Sequence, residues 1–485
     1  MAVEPLPLEP QPRLDDDTLL EFISLDAQRL TEDLEVFEEY RDYYEGEQTL
    51  NFATENFADA FGDAFRDFRS NWMEVVIAAM EERLDLQHIN IRNEQGSLDE
   101  NQSTEIWDTL FLNEFEELQL EVYNGALVEG RSYVIVWPDE VLGARVDANF
   151  AQNVRVSYSP FDSRVIERAI KRWVTDDGGQ RLTFYTRDFI YKYKIDPIGT
   201  QEPEDVQVRD TGWVELPTEE SGDPSWPLPN PFGEVPVVEF HNKGWKSELR
   251  DLIPLQDALN MDMRKMMVSG EFYATPVDYI VTSNEEPDGG WKASPGFIWH
   301  IQPEVDFEGN VLPVQVGRLE PSRPDSFLTM VETYLQHIAA ISKTPAYYFY
   351  LSSKQGGRGD APSGEALRVA ETGLLKKIQM LQRLWGVRWL RVARLIAMSL
   401  GGFGDDPIPI RGESVWTHPM AHFLTILLEE ARMMIDDLGL PPEYAWRHIG
   451  LTEDQVKDAL SIGFDDDPGA VEEEVPSSSG TSGTP

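Results

Sequence analysis

The sequence predicts an α+β fold in which helical and β-rich stretches follow one another along the chain. Three observations predict it. Up to Glu129, and again from Ser247, apolar residues recur at three, four and seven, the spacing of one helix face. At Gly130 that period gives way to short runs rich in Val, Ile and Tyr, separated by turns such as Asp-Asp-Gly-Gly. Beyond residue 363 one helical pattern continues to about Leu400, and a glycine-rich loop precedes it.

Composition bounds the function. The chain has 485 residues, enough for several domains and a sizeable core. Its 41 basic residues face 87 acidic ones, a formal net charge of −46. Such a surface repels phosphate, which excludes a basic DNA-wrapping protein but not a local DNA contact. The absence of cysteine excludes disulfides, thiolate zinc sites and cysteine nucleophiles. No apolar run reaches the roughly 18–20 residues of a membrane span. The proline-rich, acidic N-terminus is unlike a secretory signal, so a soluble protein is expected.

Each element has its own justification. Residues 1–15 and 465–485 are polar and aperiodic, the composition of disordered tails. Leu19, Leu20, Ile23, Leu30, Leu34 and Phe37 predict a helix from Asp16 to Tyr44. A second helix is predicted in Arg69–Leu84, capped by Ser70 or Asn71. A strand follows at His88–Arg92, then one helix over Glu105–Glu129. Strands are predicted at RSYVIVW, VRVSYS, RVIERAIKRWV, RLTFYTRDFIYKYKI and GWVEL, closed by the proline-rich connection SWPLPNPFGEVPVVEF. Ser247 and Glu248 suit the start of the next helix. A Gly- and Pro-rich β insert covers about 275–316, and a helix is predicted over Asp325–Ser342. The loop TPAYYFYLSSKQGGRGDAPSGE comes next. Ser363 can cap the long helix, whose roughly 38 residues would span about 57 Å. Two or three shorter helices are expected between Pro419 and Ile462.

Motifs for chemistry are weak. No G-x-x-x-x-G-K-[ST] phosphate loop is present, and GGFGDD follows a helix rather than a strand. His418 and His422 stand four apart, but Pro419 occupies the place of the glutamate that zinc proteases carry. No metal and no cofactor are expected. Asp15–Asp17 and Asp465–Asp467 read as solvated tail charges. Arg358-Gly359-Asp360 reads as the product of a Gly-rich loop rather than an adhesion site. Met261, Met263, Met266 and Met267 keep helical spacing and read as core or subunit seam. Residues 363–400 oppose the overall charge: Arg368, Lys376, Lys377, Arg383, Arg388, Arg391 and Arg394 against Glu365 and Glu371. Such a helix either docks on acidic neighbours in its own chain or pairs with another copy.

The order of parts resembles the portal proteins of tailed double-stranded DNA bacteriophages, of the siphophage type found in actinobacterial phages. The resemblance rests on Tyr43-Tyr44-Glu45-Gly46, Asn71-Trp72, LVEGRSYVIVW (Leu127–Trp137), SELRDLIPLQDALNMDMRKMM and ISKTPAYYF…GEALRVAETGLLKKIQ, in that order. It implies a wing at 16–246, a first stem helix at 247–270, a clip at 271–324 and a second stem helix at 325–343. It further implies a tunnel loop at 344–362, a long connecting helix at 363–400 and a helical crown at 401–464. The function implied is a ring of about twelve identical subunits at one capsid vertex of the virion. The ring would be assembled in the host cytoplasm. Its channel would pass double-stranded DNA without sequence preference during packaging and ejection. Terminase, a head–tail adaptor, and the major capsid and scaffolding proteins would be its partners, with no membrane contact and no enzymatic role. Tunnel-loop residues would be Ser352, Ser353, Lys354, Gln355, Gly356, Gly357, Arg358, Gly359 and Asp360. Tyr347, Tyr348, Phe349 and Tyr350 would anchor the base of that loop. Met263, Met266, Met267, Arg368, Lys376, Lys377 and Arg383 would face neighbouring subunits. Two other readings stay open at this point: an acidic, salt-adapted hydrolase, and a different phage head structural protein.

Overall fold

The computed structural model describes residues 15–49, 68–93, 95–176, 178–195, 213–216, 218–274, 278–281, 315–318, 325–349, 364–401, 411–419 and 424–449, with 451, 456 and 460. The expected tails, all but Asp15 of the first, and most of the segment 271–324 lie outside these residues.

Helix α1 (Asp16–Glu45) opens where Asp15 accepts the Thr18 amide at 2.9 Å and closes on Gly46 at φ 76°. Leu19, Ile23 and Ala27 face the six-stranded antiparallel sheet and pack with Ile170, Leu182, Phe184 and Tyr191. That sheet comprises β4 (Val154–Tyr158), β5 (Ile166–Val174), β6 (Gln180–Tyr185), β7 (Phe189–Ile195), β8 (Val214–Glu215) and β9 (Leu228–Pro229). Charged seams fasten α1 to it. Arg168 reaches the buried Asp26 at 2.7 Å and Arg155 meets Asp33, which Arg131, outside this sheet, also meets.

Helix α2 (Met73–Glu81) buries Met73, Val76, Ile77 and Met80. Its capping acceptor is Asn71, whose Oδ1 takes the amides of Met73 and Glu74 at 3.1 and 3.4 Å. Strand β1 (Leu86–Arg92) follows as expected. The single helix expected over 105–129 is instead two, α3 (Glu100–Leu112) and α4 (Phe115–Val128). The break lies at Glu114, at φ 55°. Asn113 explains it. Its amide donates to the carbonyls of Thr109 and Ala144, and its Oδ1 accepts from the Val146 amide at 2.9 Å. A tertiary contact to a strand thus outweighs helical continuity.

Strand β2 (Arg131–Asp139) lies between β3 (Gly143–Phe150) and β10 (Val237–His241) in a separate antiparallel sheet. The proline-rich stretch read as a connection therefore ends in a fully buried strand. Pro236 precedes β10, so its missing N–H costs the ladder nothing.

Short helix α5 (Thr218–Ser221) sits in the sheet's outer loop. Helix α6 (Ile253–Ala274) starts six residues later than Ser247. Pro254 accounts for the shift, since proline is tolerated in the first helical turn and clashes deeper in. Strands β11 (Asp278–Val281) and β12 (Gln315–Arg318) pair antiparallel between α6 and α7 (Asp325–Ser342).

The long helix α8 (Gly364–Gly401) matches expectation in length. It runs through the main core, where Trp385 stacks on Tyr123 at 5.0 Å and Trp389 meets Phe115 and Phe240 edge-on. The segment 401–464, expected as a helical crown with helices from Pro419, also contains strand β13 (Arg411–Trp416), paired with β1. Gly412 permits that pairing, because a Cβ there would lie 2.4 Å from the Asn90 carbonyl oxygen. Helices α9 (Leu424–Asp436) and α10 (Pro442–His448) complete the described chain.

Candidate functional site at the helix–loop–helix junction

The chain leaves α7, turns, and enters α8 on the far side of residues 350–363. Both ends of that passage are described, and they meet at one buried junction. Helices α6 and α7 pack side by side, with Tyr334 donating to the buried Asp262 at 3.1 Å. Lys343, at φ 63°, turns the chain out of α7. The 3₁₀ turn Ala346–Phe349 follows, and Phe349 buries its ring 5.7 Å from Trp72.

The polar centre of the junction is Arg83 of the α2–β1 turn and Glu371 of α8. Their side chains are 3% and 1% exposed and lie 3.3 Å apart. Arg83 also donates to the Ala79 carbonyl at 3.0 Å and stands over the Tyr348 ring at 5.6 Å. Tyr347 donates its hydroxyl to Glu371, and its ring stacks on Tyr348 at 4.9 Å. Burial, followed by the hydrogen bond to Glu371, holds the Tyr347 phenol far above its ordinary range. Burial also raises the Tyr348 phenol, against the nearby Arg83 charge. Both phenols therefore stay neutral at physiological pH, and Tyr347 keeps its proton for Glu371. Glu371 Oε2, Arg83 Nε and Thr344 Oγ1 are buried without a hydrogen-bond partner. So the carboxylate is held through one oxygen only, and its pairing is correspondingly exacting.

Lys377, one turn and a half further along α8, pairs with Glu248 and donates to the Ser342 carbonyl at 3.2 Å. That contact ties α8 to the end of α7 within one chain. Lys377, expected to face a neighbouring subunit, makes both of these contacts within its own chain. Three other α8 cations are likewise engaged within the chain: Arg388 with His241 at 3.1 Å, Arg391 with the Arg164 carbonyl, and Arg394 with Glu234. Lys376 and Arg383 are exposed, and the Arg368 side chain lies outside the described residues. Met263, Met266 and Met267 are half-buried, and Met263 packs on the main core.

The aromatic anchors fall in part where the sequence put them. Tyr347, Tyr348 and Phe349 hold the loop base, while Tyr350 lies outside the described residues. So do Ser352, Ser353, Lys354, Gln355, Gly356, Gly357, Arg358, Gly359, Asp360, the cap Ser363 and His422. The Arg83–Glu371 pair escaped sequence reading because its partners are 288 positions apart. Its one visible trace was one of two acids in an otherwise basic helix. Among the described residues no group of three or more His, Cys, Asp or Glu could hold a metal ion, and no helix is long and apolar enough to cross a membrane.

Comparison with known proteins bears on this junction. Portal proteins of Mycobacterium phage D29 and Mycobacterium phage L5 are 25% and 24% identical over 321 and 323 residues. Each match covers 61% of this chain and 59% of the relative, so the chain spans less than two thirds of those proteins. Among solved structures, a chain in the neck of an empty gene transfer agent particle, computed with C6 symmetry, gives a TM-score of 0.41 at 13% identity. That likeness covers 78% of this chain and 88% of the other. A chain from the virion of a native gene transfer agent particle also gives 0.41, at 12% identity, over 81% and 92%. The profile of the family described as phage portal protein, SPP1 Gp6-like, matches residues 25–461, nearly the whole chain. The chain belongs to that phage portal family.

Proposed function

We propose that this chain is a ring-forming portal subunit at one capsid vertex of a virion, with a central channel that passes double-stranded DNA. The carrying observation is the family match over 25–461. A ring of about twelve copies is the expected closed form. The role is structural rather than enzymatic. In this reading 16–246 is the wing, α6 and α7 are the stem, 271–324 is the clip and 401–464 is the crown. The clip offers the docking surface for terminase and then for a head–tail adaptor, and capsid and scaffolding proteins surround the wing.

The junction supports a specific task for the loop at 344–362. A loop that contacts moving DNA needs a mobile middle and fixed ends. Glycines 356, 357 and 359 supply conformational freedom at low steric cost. The buried Arg83–Glu371 pair and the Phe349–Trp72 contact fix the ends. Lys354 and Arg358 then offer weak phosphate contacts in a channel whose overall charge repels DNA.

Negative-stain microscopy of the purified protein tests the reading. Rings with a central hole are expected; discrete small particles alone would overturn it. Deleting 352–361 is expected to leave the rings intact and to lower DNA packaging or retention, and normal filling would remove the role given to the loop.

A further inference from the structure

The main core separates two exposed surfaces of opposite character. Trp385 of α8 stacks on Tyr123 of α4 and Trp389 meets Phe115 edge-on, while Trp389 Nε1 donates to the Tyr123 hydroxyl at 3.0 Å. At 100° per residue, Val369, Lys376, Arg383 and Val387 fall on one stripe of α8, about 140–180° from the mean direction of those tryptophans. Lys376 and Arg383 are exposed there, with Val369 70% and Val387 64% exposed. On α4, Glu117, Leu120 and Glu121 likewise lie on the side away from Phe115 and Leu118. The end of α3, just before α4, adds two more exposed apolar side chains, Phe111 at 72% and Leu112 at 57%. The two surfaces therefore look outward on opposite sides of one core.

Their charges are complementary. From 93 to 130 the chain has ten acidic residues and no lysine or arginine. From 363 to 400 it has seven basic residues and two acidic ones, and Lys376 and Arg383 are the described cations of α8 left on the outside. Glu117 and Glu121 stand one turn apart, a like-charge pair unfavourable in an isolated helix. The Glu121 carboxyl is pushed up by burial first and by Glu117 second. A cation supplied from outside would relieve the repulsion between the two carboxylates. Copies that each carry −46 repel, so contact between them requires local pairing of this kind.

We infer that the stripe Val369–Lys376–Arg383–Val387 of one copy docks on the α3–α4 surface of the next, with Lys376 and Arg383 opposite Glu117 and Glu121 and the valines against Phe111, Leu112 and Leu120. Two different faces on opposite sides of a subunit make a heterologous contact, the kind that closes a ring. This rests on the ring-forming reading above and names its seam.

Charge reversal tests it. One variant carries Lys376→Glu with Arg383→Glu; the other carries Glu117→Lys with Glu121→Lys. Neither is expected to form rings alone, whereas an equimolar mixture is expected to, because each reversed face then meets its complement on an alternating neighbour. Ring counts by negative stain and sedimentation give the readout, with melting curves to confirm the fold. Should a reversed pair fail to fold, Lys376→Gln with Arg383→Gln and Glu117→Gln with Glu121→Gln take its place, and each is expected to lower ring yield. Wild-type ring yield from either single variant overturns the seam. So does a mixture of folded variants that stays unassembled. Wild-type protein that forms no rings overturns the ring reading and the seam together.

Discussion

A single buried carboxylate sets the terms at the loop base. Glu371 has Arg83 for its charge and Tyr347 for a hydrogen bond, with its second oxygen unpaired. Removing Arg83 leaves the carboxylate buried and uncompensated. Arg83→Ala is therefore expected to cost about 3–5 kcal/mol, read as a lower denaturant midpoint. Replacing both partners with apolar groups, Arg83→Met with Glu371→Leu, is expected to recover most of that loss. A single variant within about 1 kcal/mol of wild type would show that the pair carries little. A second carboxylate, Glu81, gives a pH signature. Burial raises its carboxyl above the ordinary 4.5, against the Asn124 hydrogen bond and the Arg41 charge. The folded state then holds this proton more tightly than the unfolded state. Its stabilising effect is complete below the unfolded pKa and is lost as pH rises through the folded one. Glu81→Gln stays neutral and keeps an acceptor for Asn124, which donates at 2.9 Å. The variant should melt higher than wild type near neutral pH, with the gap closing toward about pH 4. A gap that widens on acidification would contradict the sign.

At the scale of elements, what was legible in the sequence followed from local period and what was hidden followed from distant partners. Helices α1, α7 and α8 carry long apolar stripes, and their observed bounds fall within a residue or two of the expected ones. The break between α3 and α4 was not legible, because Asn113 is spent on Ala144 and Val146 of β3, some thirty positions away. Strand β13 reads as RGESVW, too polar to declare itself, and exists because β1 offers it an edge. Strand β10 was masked by the prolines before it. The loop base was legible through its aromatics, whereas the Arg83–Glu371 pair behind it joins two segments with no local signal. Glycines on and beside α8 turn this packing into a test. At Gly373 a Cβ would meet only Lys343, its Cβ at 3.5 Å and its carbonyl oxygen at 3.9 Å, both ordinary contacts, so Gly373→Ala should stabilise by roughly 0.5–1 kcal/mol through helix propensity. At Gly412 a Cβ would press on the Asn90 carbonyl at 2.4 Å and on Leu390 at 3.0 Å. Gly412→Ala should cost about 1–3 kcal/mol by forcing β1 and β13 apart. Equal effects at the two positions would mean that β13 is not held against β1 as described.

At the scale of the whole molecule, charge decides what DNA would experience in the proposed channel. Each copy carries −46, and many of the described arginines are held in ion pairs within the chain, as Arg41 is with Glu129, Arg168 with Asp26 and Arg394 with Glu234. Those pairs weaken their hold on phosphate. A protein that grips duplex DNA loses affinity with salt in proportion to the phosphates it neutralises. A channel through which DNA must slide is better served by a wall that offers no such grip, with scattered contacts at a loop. The purified protein should therefore bind linear duplex DNA weakly, with dissociation constants above about 100 μM near physiological salt and a salt slope close to zero. Fluorescence anisotropy over a salt series measures both quantities. Reversing charge at the loop, with Lys354→Glu and Arg358→Glu, should leave that weak bulk binding unchanged, because two cations add little to a field set by 87 acids. Micromolar binding with a steep negative slope would mean that a basic surface is presented to DNA, and a non-gripping wall would then be the wrong account of the channel.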